Sequence, residues 1–117
     1  MKYQDARRYL LNFSEAEEDY PFGPEVAVMK VRDRMFAGLM MHLGSPCMNL
    51  KCDPDEALAL RDIFEEVTPA YHMNKRHWNT VRLDGKVPKG ELQRMMDNSY
   101  RLVVAKLPKH RRPLLAR

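Results

Sequence analysis

Tyr71-His72-Met73-Asn74-Lys75-Arg76-His77-Trp78-Asn79-Thr80-Val81-Arg82-Leu83-Asp84-Gly85 is the stretch that decides how this chain folds. Its second half alternates. Val81 and Leu83 share one face, and Trp78, Thr80 and Arg82 share the other, so 77–83 reads as a strand with a core face and a more polar face. Asn74-Lys75-Arg76 reads as a turn leading from a short extended piece at 70–74, and Asp84-Gly85-Lys86 as a second turn. The same stretch holds the only Trp, two of the four His and adjacent cations.

Working outward, Val87-Pro88 leads into a long helix to about Leu107, built on Leu92, Met95, Met96, Ser99 and Val103. Ser99 stands in an otherwise apolar stripe, where a small residue lets the helix approach the sheet. Pro108 breaks the chain, and 109–116 reads as a last short helix interrupted by Pro113. Upstream, Asp53-Pro54-Asp55-Glu56 marks a helix start: Asp53 caps, Pro54 suits the first helical position, and Glu56 completes a capping box. That helix is expected to reach Glu66, and Thr68-Pro69 to end it.

Before it, Glu25–Val31 and Met35–Met41 form a hairpin across Arg32-Asp33-Arg34, and Cys47–Cys52 is a third strand. Met48 and Leu50 point one way, Asn49 and Lys51 the other. A first helix spans 2–13, followed by the acidic connection Glu15, Glu17, Glu18, Asp19. Helix, three strands, helix, two strands, helix makes an α+β two-layer sandwich: an antiparallel sheet of about five strands with helices on one face.

At 117 residues, 44% hydrophobic and 31% charged, the chain reads as one globular domain, 1–117. No apolar run approaches the roughly 20 residues a membrane span needs, and the first residues lack the apolar core of a signal peptide, so a cytoplasmic protein is expected. Cys47 and Cys52, five apart on a strand, face opposite sides and are expected to be reduced. From Met1 to Ala70 there are 8 Lys/Arg against 13 Asp/Glu; from Tyr71 to Arg117 there are 12 against 3. Such asymmetry suits an anionic partner.

The candidate chemistry is binding rather than catalysis. Lys75 and Arg76 at the turn beside Trp78 and Arg82 suit phosphate contact with stacking or groove contact. The bland alternative is that Trp78 packs under the C-terminal helix and the cations are solvated. Arg94 and Arg101 share a helix face that Asp97 could tie up, and with Lys86, Lys89, Lys106, Lys109, Arg111 and Arg112 they extend a C-terminal basic face. No Cys or carboxylate lies at metal-ligand spacing near His72 and His77, and the acidic run reads as a solvated connection, so neither a metal nor a cofactor is expected. No nucleophile, base and stabiliser come together, so the chain is not expected to be an enzyme.

Pro21-Phe22-Gly23-Pro24-Glu25, Lys30-Val31, Met35-Phe36, Asn49-Leu50-Lys51-Cys52, Tyr71–Val81, Leu83-Asp84-Gly85 and Ser99-Tyr100 together resemble the MmcQ/YjbR family over about residues 2–108. Arg34 departs from that family's pattern, which has a glycine-lysine turn there. The resemblance implies a frataxin-like (CyaY-like) sandwich in a double-wing DNA-binding arrangement. Its wings would map onto Arg32–Arg34 and Asn74–Arg76. The expected partner is therefore DNA, contacted by Lys75, Arg76, Arg82, Arg32 and Arg34, with Asn74 and Trp78 positioning the turn. The expected state is a monomer. The alternative is a protein- or small-ligand-interaction module using the polar sheet face around Trp78.

Overall fold

The computed structural model describes residues 1–70 and 72–114. In chain order the elements are α1 (Tyr3–Leu11), β1 (Glu17–Asp19), β2 (Val26–Val31), β3 (Arg34–His42), β4 (Ser45–Lys51), α2 (Pro54–Ile63), β5 (Val67–Pro69), β6 (Trp78–Arg82) and α3 (Lys89–Ala105), with a 3₁₀ turn at Lys109–Arg111. The strands form one antiparallel sheet in the order β1-β2-β3-β4-β6-β5.

The expected α+β two-layer sandwich is what the chain adopts, with six strands rather than about five. Alternation sets the layers. Ala27, Met29, Ala37, Leu39, Met48, Leu50, Val67 and Val81 share the inner face and join the helix residues Ala6, Leu10, Ala57, Leu60, Leu92, Met96 and Val103 in one core. Asn49, Lys51, Trp78, Thr80 and Arg82 share the other face, and Lys51, at the end of β4, also borders the last turn of α3.

Three segments differ from the sequence expectation. The acidic run is not a loop: Glu17–Asp19 pairs with Val28–Lys30 as an edge strand. It does so because Glu18 accepts two bonds from Arg7 at 2.8 and 2.6 Å and Asp19 takes Lys30 at 2.7 Å. The second helix stops at Ile63, where Phe64 turns extended, and the strand lies at Val67–Pro69 rather than 70–74. Pro69 is tolerated there because β5 is the outermost strand and needs no outward N–H. Tyr71 lies outside the described residues, as does the tail from 115 of the expected last helix. At the start of α2, Asp53 Oδ1 accepts from Asp55 N–H at 3.1 Å as expected, but the Glu56 carboxylate turns to Arg94 and Asn98 instead of closing a capping box.

Both hairpins between β2, β3 and β4 have two-residue turns with positive φ: Arg32 (+50°) and Asp33 (+63°), then Leu43 (+52°) and Gly44 (+81°). This backbone matches the strand twist. Arg32 is a bulky residue in a left-handed conformation, and its guanidinium is held by Glu15 and the Arg111 carbonyl.

A β-bulge shapes the centre of the sheet. Met29 pairs with Ala37 but Lys30 pairs with Met35, so Phe36 is an extra residue in β3. The bulge turns Phe36 into the core against Phe13 and Tyr100, whose rings stack at 4.6 Å. On the other side, the β3–β4 ladder stops at Ala37↔Leu50. One step further, the hydroxyl of Ser99 from α3 sits between the strands. It accepts from Lys51 N–H at 2.8 Å and donates to Phe36 C=O at 2.5 Å. Ser99 is fully buried. Its role is thus more than small size.

Ser99→Ala would leave both backbone groups without partners. We expect a loss of about 2–3 kcal/mol in urea-unfolding stability. Below neutrality, the hydrogen bonds from Arg7 and Lys30 hold the Glu18 and Asp19 carboxyls below the usual range. Folded-state values lower than unfolded ones give stability that is present above about pH 4.5 and lost as pH falls through the lower folded values. The urea midpoint should drop on acidification in that window, and Glu18→Gln should make the drop shallower.

Candidate functional site

The residues singled out in sequence divide by what holds them. The 74–78 turn is organised by a residue sequence reasoning did not nominate, Arg61 of α2. Its Nε donates to Asn79 Oδ1 at 2.7 Å, and its terminal nitrogen donates to the carbonyls of Lys75 and, at 3.5 Å, Trp78. Asn79, buried on the inner face, passes the chain on to the Ala57 carbonyl at 3.4 Å. Asn74 closes the turn locally: its Oδ1 accepts from Arg76 N–H at 3.0 Å and its carbonyl from His77 N–H at 3.1 Å. Cys52 N–H donates to His77 C=O at 2.7 Å and fastens the turn to the end of β4. Asn74 thus fixes the turn, and Lys75 and Arg76 stand exposed on it.

Arg32 and Arg82 have intramolecular partners. Arg82 Nε meets Asp84 Oδ1 at 2.8 Å, and Asp84 also accepts from the Ser45 hydroxyl at 2.5 Å. The Ser45 bond first, and Arg82 second, hold the Asp84 carboxyl below its ordinary range. Arg32 meets Glu15 at 3.0 Å and donates to Arg111 C=O at 2.9 Å. Both cations close loops of the chain itself.

Arg34 and Arg76 have no acidic partner among the described residues. Trp78, half-buried, lies directly across from Lys51 in the β4–β6 register. Lys51 in turn borders a cleft with Arg34 and with Lys106, the residue that closes α3. The sheet therefore lines up Arg76, Trp78 and Lys51 in sequence and register, with Arg34 and Lys106 at the far end. Burial first, then contact with the Lys106 ammonium and the charges of Lys106 and Arg34, push the Lys51 amine below its ordinary pKa. Lys51 was readable only as an outward strand residue; its place opposite Trp78 depends on register.

On α3 only some of the cations are paired. Asp97 does not tie up Arg94 and Arg101: it accepts from the Tyr9 hydroxyl at 2.8 Å, while Arg94 binds Glu91 and Glu56, each at 2.6 Å. Arg112 caps α3 by donating to the Ala105 and Leu107 carbonyls. Both cysteines are free thiols and buried, and burial pushes the Cys52 thiol up to about 11. Among the described residues no group of His, Cys, Asp and Glu is arranged to hold a metal ion, and no helix is long and apolar enough to cross a membrane.

The fold and this basic row define a small α+β protein with an open sheet face and a cationic edge. The YjbR family model matches residues 11–102, and the chain belongs to the YjbR family. It is 33% identical over 115 residues to the uncharacterised protein YjbR of Escherichia coli K12, covering 98% of each chain. It is 35% identical over 107 residues to the uncharacterised protein YbdF of E. coli O157:H7, covering 92% of this chain and 88% of that one. A crystal structure of a Deinococcus radiodurans protein with the DUF419 domain superposes with a TM-score of 0.88 at 34% identity, over 94% of this chain and 84% of that one. A Pseudomonas syringae protein superposes with a TM-score of 0.77 at 28% identity, over 87% and 98%.

Arg61→Met would leave the Asn79 carbonyl oxygen and the Lys75 carbonyl without their donor. We expect a stability loss of about 1–3 kcal/mol, with amide hydrogen exchange accelerated most at Lys75–Trp78.

Proposed function

We propose that this protein is a non-catalytic DNA-binding protein that grips the nucleic-acid backbone along the row Arg76, Trp78, Lys51 and Arg34. One observation carries this reading. Arg7, Arg8, Lys30, Arg32, Arg82 and Arg94 pair with carboxylates, whereas Arg76, Lys51 and Arg34 face no acidic partner among the described residues and flank the half-buried Trp78 in sequence and register. Like charges held close without counter-charge are a cost to folding that an anionic partner removes. The half-buried Trp78, two residues from Arg76 and in register with Lys51, offers a stacking or groove contact. No recognition helix faces outward from this surface, so binding would be driven by phosphates more than by base edges. A non-catalytic role is supported by the hydroxyl of Ser99 being spent on backbone groups and by thiols that burial keeps protonated.

A second reading is favoured by one feature. The uncovered sheet face holds a cleft of about 420 Å³ bordered by His42, Cys47, Thr68, Pro69 and Thr80. That surface suits a protein segment or small ligand.

Fluorescence anisotropy with a labelled random duplex across a salt series separates the two. Contact with three to four phosphates predicts a log–log salt slope of about −3 to −4. Arg34→Glu with Arg76→Glu should weaken binding at least about tenfold, since two charge-assisted contacts become repulsions. Arg82→Gln, whose charge is already partnered, should change it by less than about threefold. No binding at low salt sinks the DNA reading. The open-face module would then be sought with partners whose affinity survives salt and depends on Trp78.

A further inference from the structure

We propose that the cleft between the start of β3, the end of β4 and the last turn of α3 is a binding site for a phosphomonoester dianion, held by Arg34, Lys51 and Lys106. This goes beyond backbone binding. An exposed cationic row needs no cavity, whereas these groups border one of about 440 Å³ whose remaining wall is Met35, Val103 and Leu107.

The wall charges are all of one sign. Four other clefts that contain cations also contain carboxylates: Asp97 beside Arg101, Asp5 beside Arg8 and Lys89, Glu56 beside Lys51 on its α2 side, and Glu65 and Glu66 beside Lys75 and Arg82. Here there is none. The cations are close enough to disturb one another: the Lys106 ammonium stands beside that of Lys51, and Arg34 adds to the charge that Lys51 feels. The apolar wall thins the water between them and strengthens every charge interaction in the cleft.

Two backbone features open and polarise the site. The β3–β4 ladder ends at Ala37↔Leu50, and the Ser99 hydroxyl holds the next two backbone groups apart, so the strand ends do not close on each other. The carbonyls at the end of α3 would lend the cleft negative potential, but Arg112 takes those of Ala105 and Leu107.

The ligand class follows from the donors. A guanidinium fork and two ammonium groups match the three terminal oxygens of a phosphomonoester, which carries close to two negative charges at neutral pH. Against three cations a carboxylate supplies one negative charge and leaves two unmatched, whereas the dianion supplies nearly two. The ester's organic part can lie against Met35, Val103 and Leu107.

The test is a titration of the full chain with glycerol phosphate at constant ionic strength, followed by amide NMR. Saturable shifts centred on Arg34, Met35, Lys51 and Lys106 are expected, absent with sodium chloride at matched ionic strength. Lys51→Gln and Lys106→Gln should each weaken binding by about tenfold. In low-salt, phosphate-free buffer, Lys106→Gln should raise Tm by relieving repulsion and abolish the Tm rise that glycerol phosphate gives the unaltered protein. A merely structural lysine would lower Tm when removed. A trinucleotide with a 5′-phosphate, set against its 5′-hydroxyl form, identifies the source. Preference for the former makes a nucleic-acid end the ligand; indifference, with glycerol phosphate still bound, makes it a small phosphoester. Shifts that do not saturate, that chloride reproduces, or that survive both substitutions overturn the proposal. Because no duplex is used, that outcome is independent of the backbone-binding test.

Discussion

A single buried hydroxyl sets the geometry on which the rest of the molecule depends. Ser99 replaces one rung of the β3–β4 ladder, accepting from Lys51 and donating to Phe36. A buried backbone N–H and C=O without partners would each cost about 1–3 kcal/mol, so the bulge at Phe36 is tenable only with such a bridge. The bulge is what turns Phe36 inward against Phe13 and Tyr100. Each such ring pair adds about 0.5–1.5 kcal/mol beyond the area it buries. The same bridge joins α3 to the middle of the sheet and spreads the strand ends beside Arg34 and Lys51. Core, helix docking and cationic cleft therefore rest on one side chain.

Much of the architecture was legible because burial imposes a period. The alternation in Trp78–Arg82 and in Ser45–Lys51 assigned their faces correctly, and Asp53-Pro54 located the start of α2. Local pattern failed where tertiary partners override composition. Glu17–Asp19 looks like a solvated connection until Arg7 and Lys30, 11 residues away on either side, neutralise it into a strand. Val67–Pro69 carries a proline that reads as a terminator, and only the edge position makes it a strand. The bulge leaves no mark in the sequence, since Phe36 sits among apolar residues whichever way it points.

The candidate site was half legible for a related reason. Charge asymmetry along the chain reports how many cations there are, not which are neutralised. Glu15 lies 17 residues before Arg32, and nothing local announces the pair. Arg82 and Asp84 are near enough that a strand-end pair could have been read, yet the third member, Ser45, comes from another hairpin. Arg61 reads as a solvated helix cation, but its long side chain passes into the fold to reach Asn79 and the turn carbonyls. Lys51 needed the register that places it across from Trp78.

The two borders of the sheet have a consequence for how this protein meets other molecules. An open strand edge is a template for another chain, and unguarded edges lead to runaway assembly. Here one border is β1, three consecutive acidic residues, and the other is β5, which ends in a proline with no N–H to offer. Neither invites a visiting backbone to add a further strand. Recognition is thereby channelled away from lateral zippering and onto the open face and the strand ends, where side-chain chemistry rather than main-chain pairing selects the visitor.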